Sequence, residues 1–476
     1  MSCTFDTSVQ RLKYNVLKEV AKLAFDDRIE TDLLSVIDKI VPGPKPTTRC
    51  CIYKEKAIVK DRLILAMGGN KENPNVIEVL PIACDECPIT QLTVTDACRG
   101  CLAHHCVNNC PKDAVSIVNH KAVIDYDKCV LCGKCLTSCQ YNAIRKSLRP
   151  CENACKVNAI KMGTDRKANI DNSKCISCGA CVYTCPFGAI MDKSFILDTI
   201  KLLKNSNNNS NYKVYAVVAP SISGQFNHNI EAIVSAIKTL GFYSVIEAAL
   251  GADIVAYLEA NELVEKGFLT SSCCPAFVKY IETQFPSLVD KVSHNLSPMA
   301  EMAKHLKKLD PTCKVVFIGP CIGKKAESLK ENIRDLVDNV ITFEELQALF
   351  DSKDIDLDTL PLEPLDNASY FGRIFARSGG LSEAVKQALK EQNISDDTFK
   401  ANPAICNGIE ECKVALLKAS KGVLKENFIE GMACKDGCIG GPACLTHGIK
   451  DKLAVDKYGK EAMEKTIKDA IQIFDI

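Results

Sequence analysis

The chain of 476 residues contains no tryptophan, and aromatic residues make up only 6% of it. It therefore offers no rows of rings on which unpaired nucleobases stack. Net charge is absent too, with 59 basic residues against 59 acidic ones. No global field draws in nucleic acid or an acidic membrane surface, and neither is expected as a partner. No apolar run reaches the roughly 18 residues that a membrane span needs. The opening Met1-Ser2-Cys3-Thr4-Phe5-Asp6 lacks the charged-then-apolar pattern of a secretory signal. A cytoplasmic location is the expectation. No glycine-rich dinucleotide fingerprint stands in a strand-to-helix context, which argues against flavin or nicotinamide coupling within the chain.

What the chain has in excess is cysteine, 28 in all, far above average usage. In a small secreted protein that count would read as a disulfide framework. Here the chain is long enough for two or three domains with a large core. Its cysteines also fall in C-x2-C-x2-C-x3-C runs, so metal ligation in a reducing compartment is the better reading.

From Cys84 to Cys185 the sequence repeats itself. Four times a cysteine is followed by a short turn and an apolar pair, as in Cys110-Pro111-Lys112-Asp113-Ala114-Val115 and Cys185-Pro186-Phe187-Gly188-Ala189-Ile190. The repeats pair into two units, each similar to a bacterial two-cluster ferredoxin. In such runs the fourth cysteine ligates the other cluster. The first unit then holds one 4Fe–4S cluster on Cys98, Cys101, Cys106 and Cys139, and a second on Cys129, Cys132, Cys135 and Cys110. Zinc would need isolated C-x2-C pairs. His104 and His105 lie inside a run whose four thiol positions are filled, and are read as exposed loop residues.

The second unit is incomplete. Cys175, Cys178 and Cys181 with Cys155 complete one cluster, but the partner run keeps only Cys151 and Cys155. Its first two positions fall on Arg145 and Leu148. Cys84-x2-Cys87 is the unassigned chelating pair nearby. Either Cys84, Cys87, Cys151 and Cys185 form a further cluster, or they are structural thiols; the accessory clusters number three or four.

Elsewhere the pattern is plainer. Val9, Leu12, Val16, Val20 and Leu23 share a helix face, and Pro42-Gly43-Pro44 ends that region. Adjacent Cys50 and Cys51 are read as buried thiols. Asn205 to Tyr212 is a polar linker. Beyond it, apolar runs such as Val214–Val218 and Lys314–Ile318 alternate with helical segments at Ile230–Leu240 and Pro298–Leu309. The fold expected is therefore an α/β catalytic domain of parallel strands and helices, with chemistry at their carboxyl ends, plus α+β ferredoxin-like domains. The division is 1–80, a mainly helical cap; 81–148 and 149–195, two ferredoxin-like domains; 196–212, a linker; and 213–476, the catalytic domain.

Three segments of that last domain differ from ferredoxin repeats: Ser271-Ser272-Cys273-Cys274-Pro275-Ala276-Phe277, Gly319-Pro320-Cys321-Ile322-Gly323-Lys324-Lys325, and Gly431-Met432-Ala433-Cys434-Lys435-Asp436-Gly437-Cys438-Ile439-Gly440-Gly441. Cys274, Cys321, Cys434 and Cys438 supply four thiolates, the usual ligand set of a cubane. The three segments resemble the signature loops of iron–iron (FeFe-type) hydrogenases, and the resemblance covers roughly residues 84 to 450.

The resemblance implies reversible conversion of protons and electrons to dihydrogen at an H-cluster. That cofactor joins a 4Fe–4S cubane to a diiron subsite carrying carbon monoxide, cyanide and a dithiolate, with Cys438 bridging the two. It further implies that Cys273 carries protons, that Glu259, Glu262 and Ser293 continue the relay, and that Lys324 donates to a cyanide. By themselves Glu259 and Glu262, three apart, would be solvated helix charges. Lys325 is read as structural or exposed. Ala219, Pro220, Ser221, Ser297, Pro298, Pro320, Phe375, Ala376 and Met432 fall where the family lines its cofactor pocket. A ferredoxin-like electron carrier and maturation proteins are the partners implied, in an anaerobic metabolism.

Some positions depart from the better-known enzymes and resemble the group B branch. Ala276-Phe277 stands for Gly-Trp, Gly319 for Met, Pro442 for a third glycine, and Met299 for a pocket glutamine. These changes leave the ligands untouched and bear on tuning. Cys406, Cys412 and Cys444 are read as packing thiols. A hydrogen sensor with slow turnover is the rival reading; such relatives commonly lose the position held here by Cys273. An iron–sulfur assembly or electron-transfer protein is a third, and those relatives lose ligands or the lysine held here by Lys324.

Overall fold

The computed structural model describes residues 5–85 and 87–474, so Met1–Thr4, most of the segment behind the signal-peptide reading, lie outside them. Among the described residues no helix is long and apolar enough to cross a membrane. Val214–Val218, Ser244–Glu247, Lys314–Gly319 and Asn339–Thr342 build a four-stranded sheet, every pairing of which is parallel. Val214–Val218 and Lys314–Gly319 lie at its centre. Their near-continuous apolar sequences follow from burial on both faces, which parallel sheets covered by helices require. Helices Ile230–Thr239 and Pro298–Leu309 supply part of that cover. A second, three-stranded parallel sheet sets Phe428–Met432 between Leu269–Thr270 and Pro403–Asn407. The α/β expectation holds.

The N-terminal helices do not form a separate cap. Helix Ser8–Phe25 starts with a capping box between Thr7 and Gln10. Its Val16, Leu17, Val20 and Ala21 enter the same core as the four-stranded sheet. The segment 196–212 is not a linker either. Helix Ile196–Asn205 buries Ile196, Thr199, Ile200 and Leu203 in that core. The asparagine-rich turn after it is pinned by Asn209, which donates to the Gly241 carbonyl at 3.0 Å and accepts from the Val214 amide at 2.9 Å. Cys50 and Cys51 are exposed, contrary to the buried reading. Cys51 spends its sulfur on the N-terminus of helix Ile52–Ala66, accepting from the Lys54 amide.

The ferredoxin-like region consists of short antiparallel hairpins, among them Val115–Val118 with Lys121–Ile124 and Ile160–Met162 with Ala168–Ile170. Strand Ile77–Val79, which the sequence placed in the cap, pairs with Ile190–Asp192 at the far end of the second unit. The expected boundary at residues 80 and 81 therefore cuts through one structural unit.

A buried ionic cluster binds the three regions together. Lys13 contacts Asp192 and Glu344 at 2.5 Å each, while Lys325 contacts Asp192 at 2.8 Å and Glu345 at 2.9 Å. Lys325 is fully buried, so the exposed alternative for it falls. Burial resists ionisation of Asp192, but Lys13 and Lys325 outweigh it and hold its carboxyl far below the usual range.

Candidate active site and its electron path

Each signature loop leaves the carboxyl end of a parallel strand, the usual ligand position in open α/β sheets. Leu269–Thr270 leads into Cys273 and Cys274, and Cys274 occupies the N-cap of helix Pro275–Gln284. Lys314–Gly319 leads into Pro320 and Cys321, and Phe428–Met432 leads into Cys434. Val214–Val218, next to Lys314–Gly319, delivers Ala219 and Pro220. The two sheets thus aim four strand ends at one space.

That space is a cavity of about 90 Å³. Cys274, Cys321, Cys434 and Cys438 all line it, as do Cys273 and Lys324. Of the expected pocket residues, Ala219, Pro220, Pro298, Pro320, Phe375, Ala376 and Met432 line it as well. Ser221 and Ser297 do not form its wall; they are buried beside Pro220 and Pro298, and their hydroxyls lack a protein partner. The sequence did not reveal Ala248, Ala249, Ala252, Phe317 and Gly372, which also line it. The three alanines are one face of helix Ala248–Lys266, and their closely spaced small side chains were the available signal. Gly319 is explained by its neighbour: a Cβ there would meet the Phe317 ring at 2.6 Å. The ring fills room that a longer side chain at 319 would take. Gly437 has a φ of 83°, where only glycine is unstrained, and it sets the turn that presents Cys438.

The four thiols are near neighbours in a low-polarity wall. Burial pushes Cys321 up to about 12, with Cys274 and Cys438 adding to the effect and Lys324 opposing it. Burial pushes Cys438 up to about 11, with Cys274 again adding. Cys434 is driven higher still by burial, Cys321 and Cys274. The accessible surface of Cys438 faces the cavity. Cys321, Cys434 and Cys438, reluctant to ionise as free thiols, become thiolates when a cationic cluster replaces their protons. Among the described residues no three metal-binding side chains converge on a single ion. A cubane, which holds its thiolates at separate corners, suits that spacing better than zinc does.

Lys324 is buried and donates to Glu327 at 2.7 Å and to the Cys273 carbonyl at 3.2 Å. An ammonium has three protons, so one remains to face the cavity that Lys324 lines. Burial works against its charge, and Glu327 more than restores it. Behind the cavity, Cys273 is buried, and burial followed by Glu259 drives its thiol well up. It is a protonated thiol at neutral pH.

Glu259 is fully buried, not a solvated helix charge. Its Oε1 accepts from the Ser272 amide at 3.2 Å, while its Oε2 lacks a partner. Burial raises its carboxyl to about 7, against the opposing effect of Ser272 and Ser293. Ser293 donates to Glu262 at 2.9 Å. Burial also resists ionisation of Glu262, but Lys266, the His294 amide and Ser293 hold it below the usual range. Lys266 contacts the exposed His294 at 2.9 Å. Titratable and hydroxyl groups therefore run from surface to cavity in the order His294, Glu262, Ser293, Glu259, Cys273.

The accessory cysteines lie in neighbouring sets. Cys106 has Cys101 and Cys139 as neighbours, and Cys135 has Cys129 and Cys110. Cys98 belongs to the same core as these residues. Cys101 and Cys132 are exposed. Cys181 neighbours Cys178, Cys175 and Cys155. Burial pushes Cys178 up to about 12, and Cys274 of the cavity is among its neighbours. That set of thiols therefore adjoins the cavity. His105 is exposed and His104 half-buried. Cys406, Cys412 and Cys444 are buried in packing positions.

A family model described as "Iron only hydrogenase large subunit, C-terminal domain" matches residues 212–442, and one described as "4Fe-4S binding domain" matches 122–145 and 168–191. Iron hydrogenase 1 of Clostridium pasteurianum is 30% identical over 405 residues, covering 73% of this chain and 69% of that protein. The cytosolic Fe-S cluster assembly factor NAR1 of Botryotinia fuckeliana is 34% identical over 142 residues, covering 25% of each chain. A solved FeFe-hydrogenase, HydA(deltaEFG), aligns with 59% of this chain and 93% of its own at a TM-score of 0.49 and 20% identity.

Proposed function

The chain belongs to the iron-only hydrogenase family, and from that premise we propose that it interconverts dihydrogen with protons and electrons. The observation that carries this reading is the single cavity shared by Cys274, Cys321, Cys434, Cys438, Cys273 and Lys324. The four ligand cysteines would hold the cubane of an H-cluster, and the rest of the cavity its diiron subsite. When bound, that cofactor supplies the redox-active iron at which hydrogen is split or formed.

The protein's own groups do the remainder. Lys324, fixed by Glu327, offers its spare proton to an anionic group in the cavity. The Cys273 thiol gives or takes the substrate proton, and Glu259, with a carboxyl titrating near neutrality, replenishes it. Ser293 and Glu262 pass the proton outward. The apolar wall of alanine, proline, methionine and phenylalanine excludes bulk water. The accessory clusters, when bound, would supply the route for electrons from a ferredoxin-like carrier, and Cys178 would hold the one that adjoins the cavity. The protein acts in the cytoplasm and depends on maturation proteins for its diiron subsite.

Assembly factors such as NAR1 are also relatives, so a role in iron–sulfur assembly or a sensing role with slow turnover is the second reading. Cys273 and Lys324 at the cavity favour catalysis over both. The test is hydrogen evolution from reduced ferredoxin by matured protein, together with exchange between dihydrogen and heavy water. Sustained turnover is expected. Neither evolution nor exchange from fully matured protein overturns the proposal.

A further inference from the structure

We propose that Cys84, Cys87, Cys151 and Cys185 hold a fourth accessory 4Fe–4S cluster, in a ferredoxin unit that the first unit interrupts. This rests on the iron–sulfur reading above and extends it to four thiols, of which Cys84, Cys87 and Cys151 lie outside both stretches matched by the 4Fe-4S model.

The main support is an equivalence between the two units. In the first, the Ala122 amide donates to the Cys98 sulfur at 3.4 Å. In the second, the Ala168 amide donates to the Cys84 sulfur at 3.3 Å. Ala122 and Ala168 occupy the same place: each follows a lysine in the second strand of a hairpin, seven residues before the first cysteine of the next run. Cys84 therefore stands where Cys98 stands, as first ligand. The crossing ligand matches too, with Ala143 donating to Cys139 at 3.4 Å and Ala189 donating to Cys185 at 3.3 Å.

Strand register explains how ligands so far apart in sequence meet. Val79 pairs with Ile190, so the chain leaves that ribbon toward Cys84 at the end where it arrives from Cys185. Gln91 pairs with Ser147, so Cys87 and Cys151 likewise flank one end of a second ribbon. In the first unit a short loop joins Cys101 to Cys106. In the second, the chain departs after Cys87, builds the whole first unit, and returns at Cys151. The thiols are indeed close: Cys84, Cys151 and Cys185 share one buried core.

A second observation points to an anion at this place. Arg149 is 2% exposed and donates from Nη2 to the Arg166 carbonyl at 2.5 Å, but its Nε and Nη1 have no partner among the described residues. It lies beside Cys87. A buried guanidinium with open donors is costly unless a negative group balances it. Four thiolates on a cubane supply that charge, whereas four neutral structural thiols do not. On insertion each thiol loses its proton as its iron–sulfur bond forms, and four protons leave. Cys151 also neighbours Cys181, which sets the fourth cluster beside the one adjoining the cavity.

The test uses the full chain made without maturation proteins and reconstituted anaerobically with ferrous iron and sulfide. About 20 irons and about 20 acid-labile sulfides per chain are expected, four for each of five cubanes. The Cys84→Ala/Cys87→Ala double variant should lose about 4 of each. About 16 of each in the wild type overturns the fourth cluster, and requires no folded variant to be conclusive. Retention of only about 4 irons, enough for one cubane, would instead sink the iron–sulfur wiring as a whole. Arg149→Gln keeps the ligands and should lower the reduction potential of one accessory signal in a redox titration followed by electron paramagnetic resonance. Unchanged potentials for every signal count against the site.

Discussion

Replacing Glu259 by glutamine tests the proton path where the structure commits itself most. The side chain is fully buried, and its carboxyl titrates at about 7 instead of 4.5. Such a shift corresponds to about 3 kcal/mol between the two protonation states. The folded protein holds this proton more tightly than the unfolded chain does. Glu259 therefore contributes fully at pH below the unfolded value, and stability falls as pH rises from there through about 7. Glu259→Gln keeps an acceptor for the Ser272 amide and removes the charge, so that part of the pH dependence should vanish. Glutamine cannot relay a proton, and turnover should drop by about 10²–10⁴-fold, the usual worth of a positioned acid or base. The assays are hydrogen evolution against pH and the infrared band of a protonated carboxyl, titrated across neutrality. Wild-type protein should lose a band near pH 7 that the variant lacks, while buried Asp253, raised to about 8, keeps its own band in both. Unimpaired turnover in Glu259→Gln, or no difference in carboxyl bands between the two proteins, refutes the reasoning.

Substitutions at three other positions have outcomes set by the geometry. Lys325→Met leaves Asp192 and Glu345 buried with less compensation, and about 3–5 kcal/mol of stability should go; a thermal inactivation midpoint equal to wild type contradicts this. Cys273→Ala removes the thiol next to ligand Cys274, so turnover should nearly vanish while the cofactor's infrared bands stay, and Cys273→Ser should do little better. Full activity in the alanine variant removes Cys273 from the mechanism. Gly437→Ala forces a side chain onto a φ of 83°, at about 1–2 kcal/mol, and sets its Cβ 2.7 Å from the Ser378 amide. Iron in the cubane should fall, and an undiminished cubane signal shows that the turn can yield.

The site was legible because its ligands come in local motifs. C-x2-C spacing, the Cys273-Cys274 pair and Lys324 after Cys321 are short-range features that folding only has to assemble. The parallel sheets were legible for a similar reason: Val214–Val218 and Lys314–Gly319 are apolar on both faces. What stayed hidden depends on partners brought from elsewhere. Nothing near Lys325 announces that Asp192 and Glu345 will bury it. The pairing of Cys84 and Cys87 with Cys151 and Cys185 was legible only as one of two readings, because spacing rules see only contiguous runs. Helix Ile196–Asn205 was missed although Ile196, Thr199, Ile200 and Leu203 carry its periodicity, because the asparagine run beside it suggested a tether. The alanine wall escaped notice since small residues declare a close approach only once a cavity lies against them.

The central claim is that this cavity holds a hydrogen-forming cofactor on Cys274, Cys321, Cys434 and Cys438. Infrared spectroscopy of protein produced with the maturation machinery tests it most directly. The account predicts cyanide and carbonyl stretching bands that vanish in Cys438→Ala and respond to dihydrogen. A matured wild-type protein with its iron–sulfur clusters in place and no such bands would contradict it.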